Sequence, residues 1–198
     1  MQSTNQDKLD KRYIHLYLEA NPNPNSMKFV ANYMLFPEGI SFDFPDKKSA
    51  ESSPLTQELF EYPFVERVFF MSNFITITKK EEVEWMEINN ILKQHIKEYL
   101  EADKPLILDS FGLDDGFDEN DSEINLKIKS ILEEYIRPAV EQDGGAISFH
   151  SFEDGVVKVL LQGSCSGCPS STITLKAGIE NLMKRMIPEV QSVEAIGV

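Results

Sequence analysis

Residues 143–171 read DGGAISFHSFEDGVVKVLLQGSCSGCPSS, and they hold the only two cysteines of the 198-residue chain, Cys165 and Cys168. The stretch divides into a Gly-Gly turn, two apolar-rich runs joined by Asp154-Gly155, and a Gly/Ser/Cys loop closed by Pro169. An Asp-Gly pair between alternating runs predicts a hairpin, here Ala146 to Phe152 paired with Val156 to Leu161. A helix is expected from Ser170 to Met186, ahead of Pro188, and a last strand from Gln191 to Ile196. Upstream, Ser122 is placed to cap a helix whose stripe is Ile124, Ile128, Ile131, Leu132, Tyr135 and Ile136, ending at Pro138. The order is α-β-β-α-β, with both thiols between the second strand and the second helix.

That placement gives the thiols their chemistry. The first-turn amides of the helix and the positive end of its dipole face the loop, which favours thiolate over thiol. Ser170, Ser171 and Thr172 are positioned to cap the helix and donate to sulfur. Gly163 and Gly167 let the loop curl so that both sulfurs face one way. Two buried structural cysteines would not need glycines and serines on both sides of each.

Three active readings stand. A thiol–disulfide oxidoreductase uses a reactive pair in the first turn of a helix, but Pro169 suits a first helical position and leaves both thiols ahead of it. A structural zinc wants four N or S ligands, so one chain supplies half a site unless two chains share it or His150 approaches. An iron–sulfur cluster held by four thiolates is completed by two copies of Cys165 and Cys168 about a two-fold axis. Such a site is exposed and comes apart with the dimer, which suits handing a cluster on.

The rest of the chain bounds the setting. With 33 Asp and Glu against 19 Lys and Arg, the formal charge is −14. No basic patch is available to neutralise phosphates, which argues against nucleic-acid binding. No run of about 18 apolar residues is present, so no transmembrane helix and no membrane partner is expected. MQSTNQDKLDKRY resembles neither a signal nor a transit peptide, and the expected location is cytoplasmic.

Residues 109–123 contain seven acidic residues and no basic one, the mark of a self-repelling linker. The expected division is 1–108, an acidic linker at 109–122, and 123–198, with Leu106, Ile107, Leu108 and Phe111 packing back on the first domain. The fold class is α+β, two small α+β domains. In the first, strands are expected at 13–19, 27–35, 40–44, 65–71 and 74–78. Helices are expected after Ser53-Pro54 and over 83–100, the latter with Trp85, Ile88, Leu92, Ile96 and Tyr99 on one stripe. His15 and His95 are isolated and read as ordinary surface or core-edge residues. Phe60, Tyr62, Phe64, Phe69 and Phe70 read as core.

The segment from about Ile136 to Val193 strongly resembles the C-terminal domain of NifU-like (Nfu) iron–sulfur scaffold and carrier proteins. The resemblance rests on G-S-C-x-x-C-P-S-S at 163–171, DGG at 143–145 and Thr174-Leu175-Lys176. NPNPNSMKF at 21–29, SPLTQELF at 53–60 and VERVFFMSNFITITK at 65–79 resemble the Nfu N-terminal domain. The resemblance implies a [4Fe–4S] cluster, sometimes [2Fe–2S], bound through Cys165 and Cys168 of two subunits as a homodimer. It implies receipt of that cluster from upstream assembly proteins and delivery to apo-proteins, with no catalysed reaction. The N-terminal domain is implied to be a recognition or dimer-modulating element and not a ligand donor.

Overall fold

The computed structural model describes residues 13–108, 122–166 and 169–197. In the first domain five antiparallel strands form one sheet: β1 (Leu16–Ala20), β2 (Ser26–Ala31), β3 (Ser41–Phe44), β4 (Val65–Met71) and β5 (Phe74–Lys79), in the order β1-β2-β5-β4-β3. α1 (Pro54–Leu59) and α2 (Trp85–Glu101) cover one face. Ser53 caps α1 as its sequence predicts, accepting from the Thr56 amide at 3.2 Å with Pro54 at the first position, worth about 1 kcal/mol.

Strand pairing sorts the side chains into two sets, because successive residues alternate in direction. Met27, Phe29, Val68, Phe70, Ile75 and Ile77 point to the helices and pack with Ile88, Leu92 and Ile96. Lys28, Val30, Arg67, Phe69, Met71, Phe74 and Thr76 point the other way, yet these too are nearly all buried. A second domain covers them.

That domain is a three-stranded sheet, β6 (Gly145–Glu153), β7 (Val156–Gly163) and β8 (Ser192–Gly197), in the order β6-β7-β8. β6 and β7 are the expected hairpin, and Asp154 and Gly155 turn at φ 50° and 79°. β8 returns parallel to β7 after α5 (Pro169–Met186), as a crossover connection requires. The expected α-β-β-α-β order holds.

The first helix of this domain differs from its expected end at Pro138. α3 (Glu123–Ile131) runs through a π turn at Leu132–Ile136 into α4 (Arg137–Gln142). The Arg137 amide reaches the Leu132 carbonyl, five residues back. This widened turn places Pro138 at the start of a new helical segment, where its missing N–H costs nothing. Ser122 caps α3 by accepting from Asn125.

Leu106 and Ile107 pack on the first domain, whereas Leu108 is exposed although its amide donates to the Ser52 carbonyl at 2.8 Å. The expected linker, 109–122, lies outside the described residues except for Ser122, and Phe111 lies outside them with it.

Candidate functional site

β7 ends at Gly163 and α5 begins at Pro169, so the cysteine loop lies between a strand end and a helix start, as expected. Gly163 has φ +65°, and a Cβ there would meet the Gly144 carbonyl oxygen at 2.8 Å and the Phe69 ring at 2.9 Å. From that turn the Ser164 amide donates to the Gly144 carbonyl at 3.2 Å, and the Ser164 hydroxyl donates to the Asp143 carbonyl. The Ser166 amide closes back on the Gly163 carbonyl at 3.1 Å.

Gly145 forms the seat of Cys165. It pairs with Gly163 across the hairpin, and an added Cβ would lie 2.5 Å from the Gln162 carbonyl oxygen and 2.9 Å from Cys165 Sγ. The DGG turn and the cysteine loop are thus one packed unit. Cys165 is 4% exposed and packs in the apolar core of this domain. The expected exposed site is not what this loop presents at Cys165: the thiol is turned inward. Cys168 and Gly167 lie outside the described residues, as do the side chains of Ser170, Ser171 and Thr172.

The first domain grips the same unit. Asn23 Nδ2 donates to the Ser164 carbonyl at 3.0 Å. Arg67, held by both oxygens of Asp43 at 2.8 and 2.5 Å, donates from Nη1 to Ser166 Oγ at 3.0 Å. These bonds bracket Cys165 on its two neighbours. Thr76 Oγ1 donates to the Gly144 carbonyl at 2.8 Å. The Lys28 ammonium donates to the carbonyls of Glu141 and Gln142 at the end of α4, 3.4 and 3.2 Å away, where the negative end of the helix dipole favours a cation. Lys28 also pairs with Glu19 at 3.2 Å and lies 4.5 Å from the Phe74 ring centre. Between the polar contacts, Val30, Phe69, Met71 and Phe74 pack with Ala146 as a small core of their own.

None of Asn23, Lys28, Arg67 and Thr76 was singled out by sequence reasoning. The signal was the run VFFM at 68–71, apolar at successive positions and therefore buried on both faces of its sheet.

Burial at this junction acts on two carboxyls. It pushes the Glu141 pKa up against the opposing pull of Arg137 and Lys28, and pushes Asp143 up against Lys28.

The histidines lie elsewhere. His15 and His150 are exposed, and His150 sits at a bulge between Phe149 and Ser151. It is five residues along β6 from Gly145, roughly 16 Å at strand rise, too far to join Cys165 on a metal. His95 is not isolated: Nδ1 meets the Tyr62 hydroxyl and Nε2 meets Glu58, both at 2.9 Å.

The NifU-like domain family matches residues 128–194, and the family described as the N terminus of the Nfu/NifU scaffold protein matches 16–103. A Drosophila persimilis protein named "NFU1 iron-sulfur cluster scaffold homolog, mitochondrial" is 40% identical over 189 residues, 95% of this chain and 67% of its own length. The Homo sapiens protein of the same name is 40% identical over 186 residues, 93% of this chain and 73% of its own. The chain belongs to the Nfu family. Another member, Arabidopsis thaliana "NifU-like protein 4, mitochondrial", is 40% identical over 189 residues, 93% of this chain and 66% of its own.

These Nfu relatives correct one expectation. All three carry a mitochondrial location in their names, which overturns the cytoplasmic location expected here. That expectation rested on the residue types of MQSTNQDKLDKRY, of which positions 1–12 lie outside the described residues.

Proposed function

We propose that this protein is an iron–sulfur cluster scaffold and carrier of mitochondrial type. Two chains hold one [4Fe–4S] or [2Fe–2S] cluster as cargo through Cys165 and Cys168, receive it from upstream assembly proteins and pass it to apo-proteins. Residues 123–198 bind the cluster, residues 1–108 modulate that binding, and 109–122 tether the two. The observation carrying this reading is the placement of Cys165 between the end of β7 and the start of α5, in a chain whose only other thiol is Cys168. Membership of the Nfu family supports the cargo as iron–sulfur, since the relatives are named for it.

Four thiolates are needed for a cluster and one chain supplies two, so the dimer follows from the ligand count. The helix start beside the loop offsets the negative charge of the thiolates and cargo.

The test is anaerobic reconstitution with iron and sulfide, reading metal content and native mass on one sample. About four irons per two chains is the expected result for the cubane form. Cys165→Ala and Cys168→Ala proteins that retain as much iron and sulfide as the parent would overturn the reading.

A further inference from the structure

We propose that the N-terminal sheet is a latch on the cysteine loop, holding Cys165 in an inward conformation that loading with cluster has to undo. The inference deepens the carrier reading and rests on it only for the identity of the competing cargo. Two observations support it independently. Cys165 is 4% exposed, with Sγ seated against Gly145 in the core of its own domain. The residues on either side of it are held from the other domain, Ser164 by Asn23 and Ser166 by Arg67.

A thiolate shared with a second chain has to be reached from outside. The second chain's loop must approach the segment that Asn23 holds at the Ser164 carbonyl and Arg67 at the Ser166 hydroxyl, and the Cys165 side chain must rotate away from Gly145. Both movements are opposed while these two bonds hold the residues on either side of Cys165. The apolar contact of Phe69 and Phe74 with Ala146 keeps the domains together, so the latch opens at the loop and does not require the domains to part.

The grip on Arg67 makes it a fixed jaw. Its guanidinium is aimed by the two Asp43 oxygens, and that carboxylate is itself 3% exposed. Coupling between two binding events is reciprocal. If cluster loading breaks the latch, weakening the latch must favour loading by the same factor. The role of Arg67 is to position the loop, not to bind the cluster.

The experiment uses the full-length, reduced, metal-free chain. Iodoacetamide modification of Cys165 is followed by peptide mass spectrometry from pH 7 to 9.5 in the parent, Arg67→Ala, Asn23→Ala and His95→Ala. A change in thiol ionisation moves the midpoint of the profile, whereas a change in access moves its plateau. The two latch variants are expected to raise the plateau about tenfold each, the scale of one lost charge-assisted or buried hydrogen bond. His95→Ala breaks contacts far from the loop and is expected to leave the plateau unchanged. Plateaus unchanged in folded Arg67→Ala and Asn23→Ala overturn the latch.

The second arm follows iron and sulfide uptake. Arg67→Ala is expected to load at about tenfold lower free cluster concentration than the parent, by the same linkage. Weaker loading in Arg67→Ala overturns the proposal, because it makes Arg67 a support for the cluster. A parent chain that takes up no cluster overturns the carrier reading, while the alkylation plateau still decides the latch.

Discussion

Asn23 Nδ2 donates to the carbonyl of Ser164, 141 residues further along the chain, at 3.0 Å in a buried setting. The same side chain accepts from the Asn25 amide at 3.0 Å, fixing the turn of the NPNPN segment. One amide therefore joins a local turn to a distant loop. Asn23→Ala leaves the Ser164 carbonyl and the Asn25 amide without this partner, and a loss of about 1–3 kcal/mol is expected in urea unfolding. Asn23→Asp keeps the turn acceptor and loses the donor. A loss above about 1 kcal/mol in that variant assigns the larger share to the interdomain bond.

Two glycines beside the cysteine loop and one in α5 separate packing from helix propensity. Gly145→Ala brings a methyl to 2.5 Å from the Gln162 carbonyl oxygen, and Gly163→Ala adds a methyl at φ +65° against Gly144 and Phe69. Each is expected to cost at least about 1–3 kcal/mol from overpacking, with a further 1 kcal/mol or so at Gly163 from the left-handed backbone. Gly178 in α5 has open space where a Cβ would be placed. Gly178→Ala is expected to stabilise by about 0.8–1 kcal/mol through helix propensity. Thermal unfolding of the three variants checks the contrast, and cluster content should fall only with the first two.

Much of the fold was legible because local rules agree with it. Ser53-Pro54 and Ser122 start helices where caps predict, the Asp154-Gly155 hairpin has the positive φ values its residues favour, and β4 spans its expected residues. The end of the first helix of the second domain was not legible at Pro138, because a π turn absorbs the proline without breaking the rod. The cysteine loop was found from its residue types. Its inward thiol and its clamp were not, because Asn23 meets Ser164 and Arg67 meets Ser166 only through the packing of one domain on another. The run at 68–71 announces burial on both faces but does not say what lies on the second.

Glu141 links the domain junction to pH. Burial raises its folded-state pKa above the ordinary carboxylate value, so the folded protein binds this proton more readily than the unfolded chain. The resulting stability is fully present below the unfolded pKa and is lost as pH rises through the raised folded value. Glu141→Gln stays neutral and escapes that loss. The variant is expected to match the parent below about pH 4, near the unperturbed carboxylate value. At pH 7 it is expected to exceed the parent by about 0.5 kcal/mol, a partly solvated charge being worth little more. Urea unfolding across that range checks both ends, and a variant less stable than the parent at pH 7 contradicts the argument. The Lys28 bond to the Glu141 carbonyl is a main-chain contact and survives the substitution.

Arg67 and Asp43 form a two-pronged pair at 2.8 and 2.5 Å, with side chains 11% and 3% exposed. A pair this far from water is asymmetric in its energetics: forming it gains little over an apolar contact, while removing one member strands the other. Asp43→Ala takes away the carboxylate that aims the guanidinium, and a loss of about 3–5 kcal/mol is expected. Arg67→Ala leaves the Asp43 carboxylate buried without its fork and is expected to cost a similar amount. Asp43→Ala combined with Arg67→Ala removes both charges, so its loss should fall short of the sum of the single losses by about 1–3 kcal/mol. Strict additivity in denaturant unfolding would mean that the two residues act separately. The pair would then be two independently held charges and not the fixed jaw that aims Nη1 at Ser166.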